Sequence, residues 1–513
     1  MAVFAPYNFV PVNEKVWFPT WGAQVSHDIP FEDGVSGVIY YTLKNESPMI
    51  IGGEKDHDNV IHFFKDRTGK PSIPGSSIRG VIRNIHEILS FSKIRTDMDL
   101  RLSIRDPYLK EYREVVHMNT IEGRIQYGWL RKRNKKVEVC FVDGRKAKYG
   151  ERANVVTGGG KVPNPIKKYF VFPQPGDNWE EVTKAEMKRF ELAHRYSDGE
   201  FFENYLRTIN KIDNNKVAPI FVITYEKKRY FGVCKYMRIP YARTVGQTLP
   251  ESHKSSKSDL TELIFGYTND EDALKSRVMF SHLRLKGESL FGEAVEAVLA
   301  SPKPSYYPTY IEQAGHPGNT LFSYNTAEIR GFKRYPIHKT VKPDRARHTI
   351  PQGGNAQENE DIRLKFKPLK IGHAFSGKVM FYNLLPVELG SVLSALTFQG
   401  QQDILFHNIG MAKPLGYGKC KIKIDFEKSF FRKNDSFDNN LPINMDAFLD
   451  EYRKVLASKV GEKNVDDRWE ELFEMAKEYN FLPSSKTYMT VNEHRNAKRN
   501  KQYLKPYSQI NKS

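Results

Sequence analysis

Apolar residues at Ile78, Val81, Ile82, Ile85, Ile88 and Leu89 follow helical spacing and predict one buried helix face. Arg79, Arg83 and His86 share another face of that helix. Pro74-Gly75 predicts a sharp entry from an extended segment, and Ser76 or Ser77 is a natural N-cap. Upstream, VSGVIYYTLKNESPMII (35–51) is rich in β-branched and aromatic residues and reads as a strand followed by a turn. GGEKDHDNVIHFFKDRTG then reads as a polar loop. A similar order recurs late in the chain. FSGKVMFYNL (375–384) alternates like a strand, and PVELGSVLSALTF carries a helical stripe of Leu389, Val392, Leu393 and Leu396 behind Pro386. IGMAKPLGYGKCKIKIDF (409–426) is a glycine-rich loop running into a strand. There Cys420, Ile422, Ile424 and Phe426 alternate with Lys419, Lys421 and Lys423, so one face is apolar and the other basic.

Two such halves predict an α+β protein with a ferredoxin-like fold, an antiparallel sheet with two helices on one face. Their separation requires insertions. The expected organisation is an irregular segment at 1–34, a first half at 35–95, an insertion at 96–258, and a second half at 259–430 with an inserted loop at 286–365. A C-terminal helical appendage follows at 431–513, where MDAFLDEYRKVLASKV and VDDRWEELFEMAKEYNFL predict amphipathic helices before a flexible basic tail.

Charge changes the picture from fold to partner. The 513 residues carry a formal net charge of +18, which attracts polyanions, nucleic acid first. Cys140, Cys234 and Cys420 are far apart and argue against a disulfide scaffold or a cysteine-rich zinc site. No long apolar run predicts a membrane span, the first residues lack a signal-peptide pattern, and the expected setting is cytoplasmic. No P-loop spacing occurs, and GGGKVPNPIKK (158–168) reads as a flexible loop.

Two stretches are candidates for contact with an anion. The start of the 75–89 helix offers unpaired N–H groups, the Ser76 and Ser77 hydroxyls and Arg79, a combination that suits phosphate; a plain capped helix packed on a sheet is the alternative. RIQYGWLRKRNKKVEVCFVDGRKAKYG (124–150) reads as a basic hairpin. Trp129, Tyr127 and Tyr149 lie among Arg131, Lys132, Arg133, Lys135 and Lys136, as base stacking with backbone charge would need, or as a solvated hairpin tip would have.

IPGSSIRGVIRNIHEIL resembles the first-helix signature of the RAMP superfamily, the repeat-associated proteins of class 1 CRISPR effectors. LTELIFGYTNDEDALKSRVMFSHLRL (260–285), PKPSYYPTYIEQ with IRGFKRYP, and IGMAKPLGYGKCKI resemble three further family segments, in the family's order. The resemblance is to type III backbone subunits, with III-D-like or related type VII systems as homes for so large a chain. It implies a ferredoxin-like (RRM-like) palm that binds guide RNA (crRNA) and stacks with copies of itself and other effector subunits to present complementary target RNA. It implies that Ser76, Ser77, Arg79 and Arg83 hold guide phosphates. Lys413, Gly416, Gly418 and Lys419 of the glycine-rich loop are then a second RNA contact, and Trp129, Arg131 and Arg133 of the insertion a third. In type III subunits an aspartate before the first helix cuts target RNA with a divalent metal. Asp58 falls nearest that position and Asp56 next, so Asp58 is the candidate ligand for Mg²⁺.

Two other readings remain open. A metal-independent endoribonuclease that processes guide RNA would use a histidine, with His57, His62 and His86 as candidates. A non-catalytic basic structural protein would use the charge to meet an acidic partner. No concentrated basic amphipathic helix points to a membrane.

Overall fold

Alternation in the strand β1 (Val35–Asn45) sets the first layer: Val35, Ile39, Tyr41 and Leu43 are buried, whereas Lys44 is exposed. The computed structural model describes residues 3–116, 124–148, 170–194, 217–269, 272–341, 349–352, 355–358, 363–434, 440–479 and 487–510. The helix α1 (Gly75–Leu89) follows β1. Next in this unit comes β2, in two segments, Val278–Phe280 and Leu283–Lys286. The strand β3 (Ala374–Leu384), the helix α2 (Pro386–Thr397) and the strand β4 (Lys419–Lys433) complete it. The strands lie in the order β4-β1-β3-β2, and every neighbouring pair is antiparallel. The chain is therefore α+β, with a βαββαβ unit at its centre.

Both helices cover one face of this sheet. Ile78, Ile82, Ile85, Ile88 and Leu89 of α1 meet Leu389, Val392, Leu393 and Leu396 of α2 in one core with the inward residues of the strands. Each such side chain contributes about 1.5–3 kcal/mol on burial. A fully buried ion pair fixes the strand-to-helix geometry: Arg277, just before β2, holds Glu388 in the first turn of α2 at 2.5 Å. Arg277 also donates to the carbonyls of Leu263 and Asn383, at 3.1 and 2.6 Å.

Three expectations change. The segment read as a polar loop after β1 is a β-hairpin of Gly52–Lys55 and Val60–Phe63, turning at Asn59 with φ 59°. Its second strand pairs in parallel with Arg363–Phe366, and this distant pairing is invisible in the local pattern. The C-terminal helices α3 (Met445–Val460) and α4 (Glu462–Ala476) are a further layer of the main core, not an appendage. Gly390 of α2 allows that contact, because a Cβ there would stand 2.1 Å from the Phe448 carbonyl oxygen. Arg468 and Trp469 of α4 cap the end of α1, donating to the carbonyls of Ile88 (2.8 Å) and Leu89 (3.0 Å). The basic tail also packs where it is described: Val491–Arg499 is a helix, and Leu504 and Tyr507 are buried.

Within 96–258, a five-stranded antiparallel sheet runs in the order Glu180–Glu181, Lys136–Val142, Ile125–Arg133, Ala218–Tyr225, Lys228–Gly232. One face packs on the Lys184–His194 helix through Phe190. The other shares a core with Tyr307, Ile311, Leu321 and Tyr324, so the loop expected at 286–365 contributes to the insertion. The 158–168 stretch and Tyr149 lie outside the described residues.

Candidate nucleic-acid interface

The helices leave the second face of the central sheet open. Register decides what stands there. Lys423 faces Thr42, Thr42 faces Ser376, and Ser376 faces Arg284, a row across all four strands. The next row is Lys421, Lys44, Ala374 and Lys286. On the other side, Tyr40 is flanked by Asp425 and Lys378. A fourth row brings Phe430, Val38, Met380 and Met279 together. Residues opposite each other share a face, and neighbouring strands lie about 4.8 Å apart.

The result is a patch of six cations, Lys44, Arg284, Lys286, Lys378, Lys421 and Lys423, around an aromatic and thioether surface. The Lys378 ammonium lies 5.9 Å from the Tyr40 ring centre. Lys286 Nζ donates to the Thr42 hydroxyl at 3.0 Å. Phe430 is 36% and Met279 54% exposed, an unusual display of apolar side chains unless something flat covers them. Asp425 is the acidic member of these rows, and its hydrogen bond with Lys428, with Lys286 nearby, lowers its pKa. Such a surface can neutralise phosphates and stack bases. The alternating lysines of β4 carried part of this signal. Arg284, Lys286, Lys378 and Tyr40 were missed because only strand pairing brings them beside those lysines.

The first-helix candidates fare differently. The helix begins at Gly75 with Pro74 in the cap position, so Ser76 and Ser77 lie inside its first turn and neither is the N-cap. Ser76 is exposed and Ser77 half-buried. The Ser77 N–H donates to the Pro74 carbonyl at 3.0 Å, so the first turn spends that donor within the chain. The arginines do not face the same way. Arg83 is buried; it donates to Glu87 at 3.1 Å and to the Gly266 carbonyl at 3.0 Å. Arg79 donates to the Phe265 carbonyl and lies over the Phe265 ring. Both guanidiniums thus hold the end of the Leu260–Phe265 helix, and an intramolecular carbonyl takes the place expected for phosphate. His86 is sealed between the hydroxyls of Thr261 (2.7 Å) and Ser391 (2.8 Å). Burial pushes its pKa down to about 3, so it is a neutral core residue and not a general acid.

The glycine-rich loop is also built around its own chain. Gly416 and Gly418 have φ of 87° and 85°. A Cβ on Gly418 would meet the Ile409 carbonyl oxygen at 1.9 Å, and one on Gly416 the Thr340 carbonyl oxygen at 2.8 Å. Close approach here is to protein backbone, where the sequence suggested RNA. Lys419 is buried and ion-paired with Glu478, which removes it from the basic face of β4. Lys413 is half-buried, and desolvation with Arg334 nearby lowers its pKa to about 8.

The RAMP superfamily model matches residues 42–421, from within β1 to the start of β4 and including the insertion. The chain belongs to the RAMP superfamily. It is thereby a CRISPR-associated protein of an RNA-binding family. No curated protein matches it. Among the described residues, no helix is long and apolar enough to cross a membrane.

The remaining candidates of this RAMP protein lie on two hairpins. Asp56 accepts from the N–H groups of Asp58 (3.0 Å) and Val60 (2.9 Å) and from His62 Nε2 (2.8 Å). These bonds, that with His62 first, lower its pKa and commit it to shaping the turn. Asp58 is exposed at the tip beside His57. Among the described residues, no group of three acidic, histidine or cysteine side chains gathers as a metal site. On the insertion hairpin, Trp129 donates to the Pro173 carbonyl at 2.7 Å. Arg131 is bonded to Glu138 at 2.6 Å and stacked 3.9 Å from the Trp179 ring. Arg133 is exposed beside the turn at Asn134 and Lys135. Trp129 and Arg131 are therefore engaged within the insertion, while Arg133 and Lys135 are exposed at the tip and Lys132 is half-buried.

Proposed function

We propose that this RAMP protein is a backbone subunit of a class 1 CRISPR effector and that its βαββαβ unit is a ferredoxin-like, RRM-like palm. It holds guide RNA against the open sheet face, through phosphates at the six cations and bases on Tyr40 and Phe430. The observation that supports this reading is the basic and aromatic surface on the sheet face away from the helices, where Arg284 and Lys423 are exposed beside Tyr40 and Phe430. Contacts to phosphate and ring faces are largely sequence-independent, so target RNA is selected by pairing with the guide. The exposed tip at Arg133 and the Ser76–Ser77 helix start extend the RNA track. Copies of itself and other effector subunits complete the particle, of type III-D-like or type VII kind.

The geometry favours a scaffold over a nuclease. A Mg²⁺ ion at Asp58 would take one protein carboxylate and draw its remaining ligands from RNA phosphates and water. The turn bonds hold Asp56, so Asp58 is the carboxylate of the pair left facing solvent.

The test is co-expression with a CRISPR array and partner subunits, followed by sequencing of the RNA that copurifies. Guide RNA is expected with the wild type and with Lys459→Glu on α3, a change in another basic position. It is expected to be depleted in Lys378→Glu with Lys423→Glu. Equal guide RNA in all three proteins overturns the assignment of the sheet face. Complementary RNA added with Mg²⁺ is expected to stay intact without a partner nuclease, and cleavage abolished by Asp58→Ala would overturn the scaffold reading.

A further inference from the structure

A pocket of 270 Å³ lies where the central unit meets the insertion. It is bounded by the Asn84–Glu87 side of α1, the 94–102 segment and the two-stranded ribbon of Asn8–Pro11 with Gly331–Arg334. Val245 and Tyr324, from the core of the insertion, also line it. Ligand sites favour such junctions, and the volume falls just below their usual range of about 300–1,000 Å³.

The walls divide by chemistry. Phe9, Tyr310, Tyr324 and Phe332 form an aromatic side, with the Phe9 and Tyr310 ring centres 5.3 Å apart. Asn84, Glu87, Arg95 and Thr96 bring polar groups, and Lys333 stands opposite Phe9 in the ribbon. Asn84 spends its amide oxygen on Arg334 (2.7 Å), and Glu87 one oxygen on Arg83 (3.1 Å). An amide NH₂ and a second carboxylate oxygen are left over. Two cations lack a counter-charge: Arg95 is exposed, Lys333 is half-buried, and neither makes an ion pair among the described residues. The Lys333 ammonium lies 4.1, 5.1 and 6.0 Å from the ring centres of Tyr7, Tyr335 and Tyr310, and donates to the Tyr335 hydroxyl at 3.3 Å. Rings attract a cation without neutralising it. Burial accordingly lowers the Lys333 pKa to about 8.

We infer that this pocket binds a single nucleotide, with its base against the aromatic side and its phosphate at Arg95 and Lys333. A base is flat, and its edge carries the donors and acceptors that Asn84, Thr96 and Glu87 complement. Inorganic phosphate would leave the rings unused, and a metal ion would find one carboxylate. The chemistry is the same for a free nucleoside monophosphate and for one nucleotide turned out of a bound RNA. The pocket lies on the helix side of the sheet, so the inference stands apart from the reading of the basic face.

The test is isothermal titration of the full-length protein, prepared with and without its RNA, with each common 5′-nucleoside monophosphate and its nucleoside. At least one monophosphate is expected to bind about tenfold tighter than its nucleoside. Binding to both preparations marks a free nucleotide as the ligand, and binding to the RNA-free protein alone marks a nucleotide of the RNA. Arg95→Ala with Lys333→Gln is expected to weaken binding about tenfold, and Arg95→Ala alone, at an exposed position, to act in the same direction. Lys378→Glu with Lys423→Glu is expected to leave it unchanged. The inference is overturned by an absence of binding to both preparations, by equal affinity for nucleoside and monophosphate, or by wild-type affinity in the Arg95 variants. Loss of binding in the sheet variant also overturns it, since that places the nucleotide on the basic face.

Discussion

Lys378 and Lys423 stand on either side of β1, one beside Tyr40 and the other opposite Thr42. If each neutralises one RNA phosphate, replacing both with alanine makes the slope of log K against log salt shallower by about 1.4 for single-stranded RNA. Filter binding across a salt series measures this, and an unchanged slope removes these two residues from the interface. His86 makes a different prediction. Its pKa falls from 6.5 to about 3 on folding because burial disfavours the imidazolium. Between those values the unfolded chain binds a proton that the folded chain refuses. Stability is therefore full above pH 6.5 and declines as pH falls, by about 1.4 kcal/mol per unit for this group. His407 and His194, each lowered to about 4 by burial, act in the same direction. The urea midpoint should drop between pH 7 and 5, and His86→Gln should flatten part of that dependence.

At the scale of elements, the contact that matters most for the two-layer arrangement is Arg277 with Glu388. Both side chains are wholly buried, and Glu388 also accepts from Trp21 Nε1 at 3.0 Å and from the Leu385 N–H at 2.9 Å. Arg277→Met leaves a buried carboxylate without its cation, and the expected loss is about 3–5 kcal/mol in denaturant unfolding. Adding Glu388→Leu should recover part of that loss, since no lone charge then remains. Full recovery is not expected, because Trp21 and Leu385 lose their acceptor. The periodicity of α2 was legible in Leu389, Val392, Leu393 and Leu396, whereas Glu388 gave no local sign of its partner 111 positions away.

At the scale of the whole molecule, the C-terminal helices belong to the core, so truncation after Pro442 should expose the α1–α2 surface. Leu449, Tyr452, Leu456, Trp469 and Leu472 would be lost from the core cluster. The expected outcome is an aggregated or protease-sensitive product, scored by soluble yield and limited trypsin digestion. A soluble, RNA-binding fragment would show that the layer is dispensable. Charge is unevenly distributed: cations gather on the sheet and the insertion tip, while Asp467 and Glu470 stand exposed on α4. A single net charge conceals both.

The periodic elements were determined by the sequence itself: the stripe of α1, the stripe of α2, and the alternation in β1, β3 and β4. Each depends on the spacing of side chains along a few turns or one strand, which local geometry fixes. The fate of individual cations was decided only by tertiary structure. Arg79, Arg83 and Lys419 looked available for phosphate, yet their partners Phe265, Gly266 and Glu478 lie 186, 183 and 59 positions away. Strand register, set by long-range pairing, moved the candidate RNA surface from the helix start to the open sheet. A side chain's exposure is a property of what packs against it, and that neighbour is not written beside it in the chain.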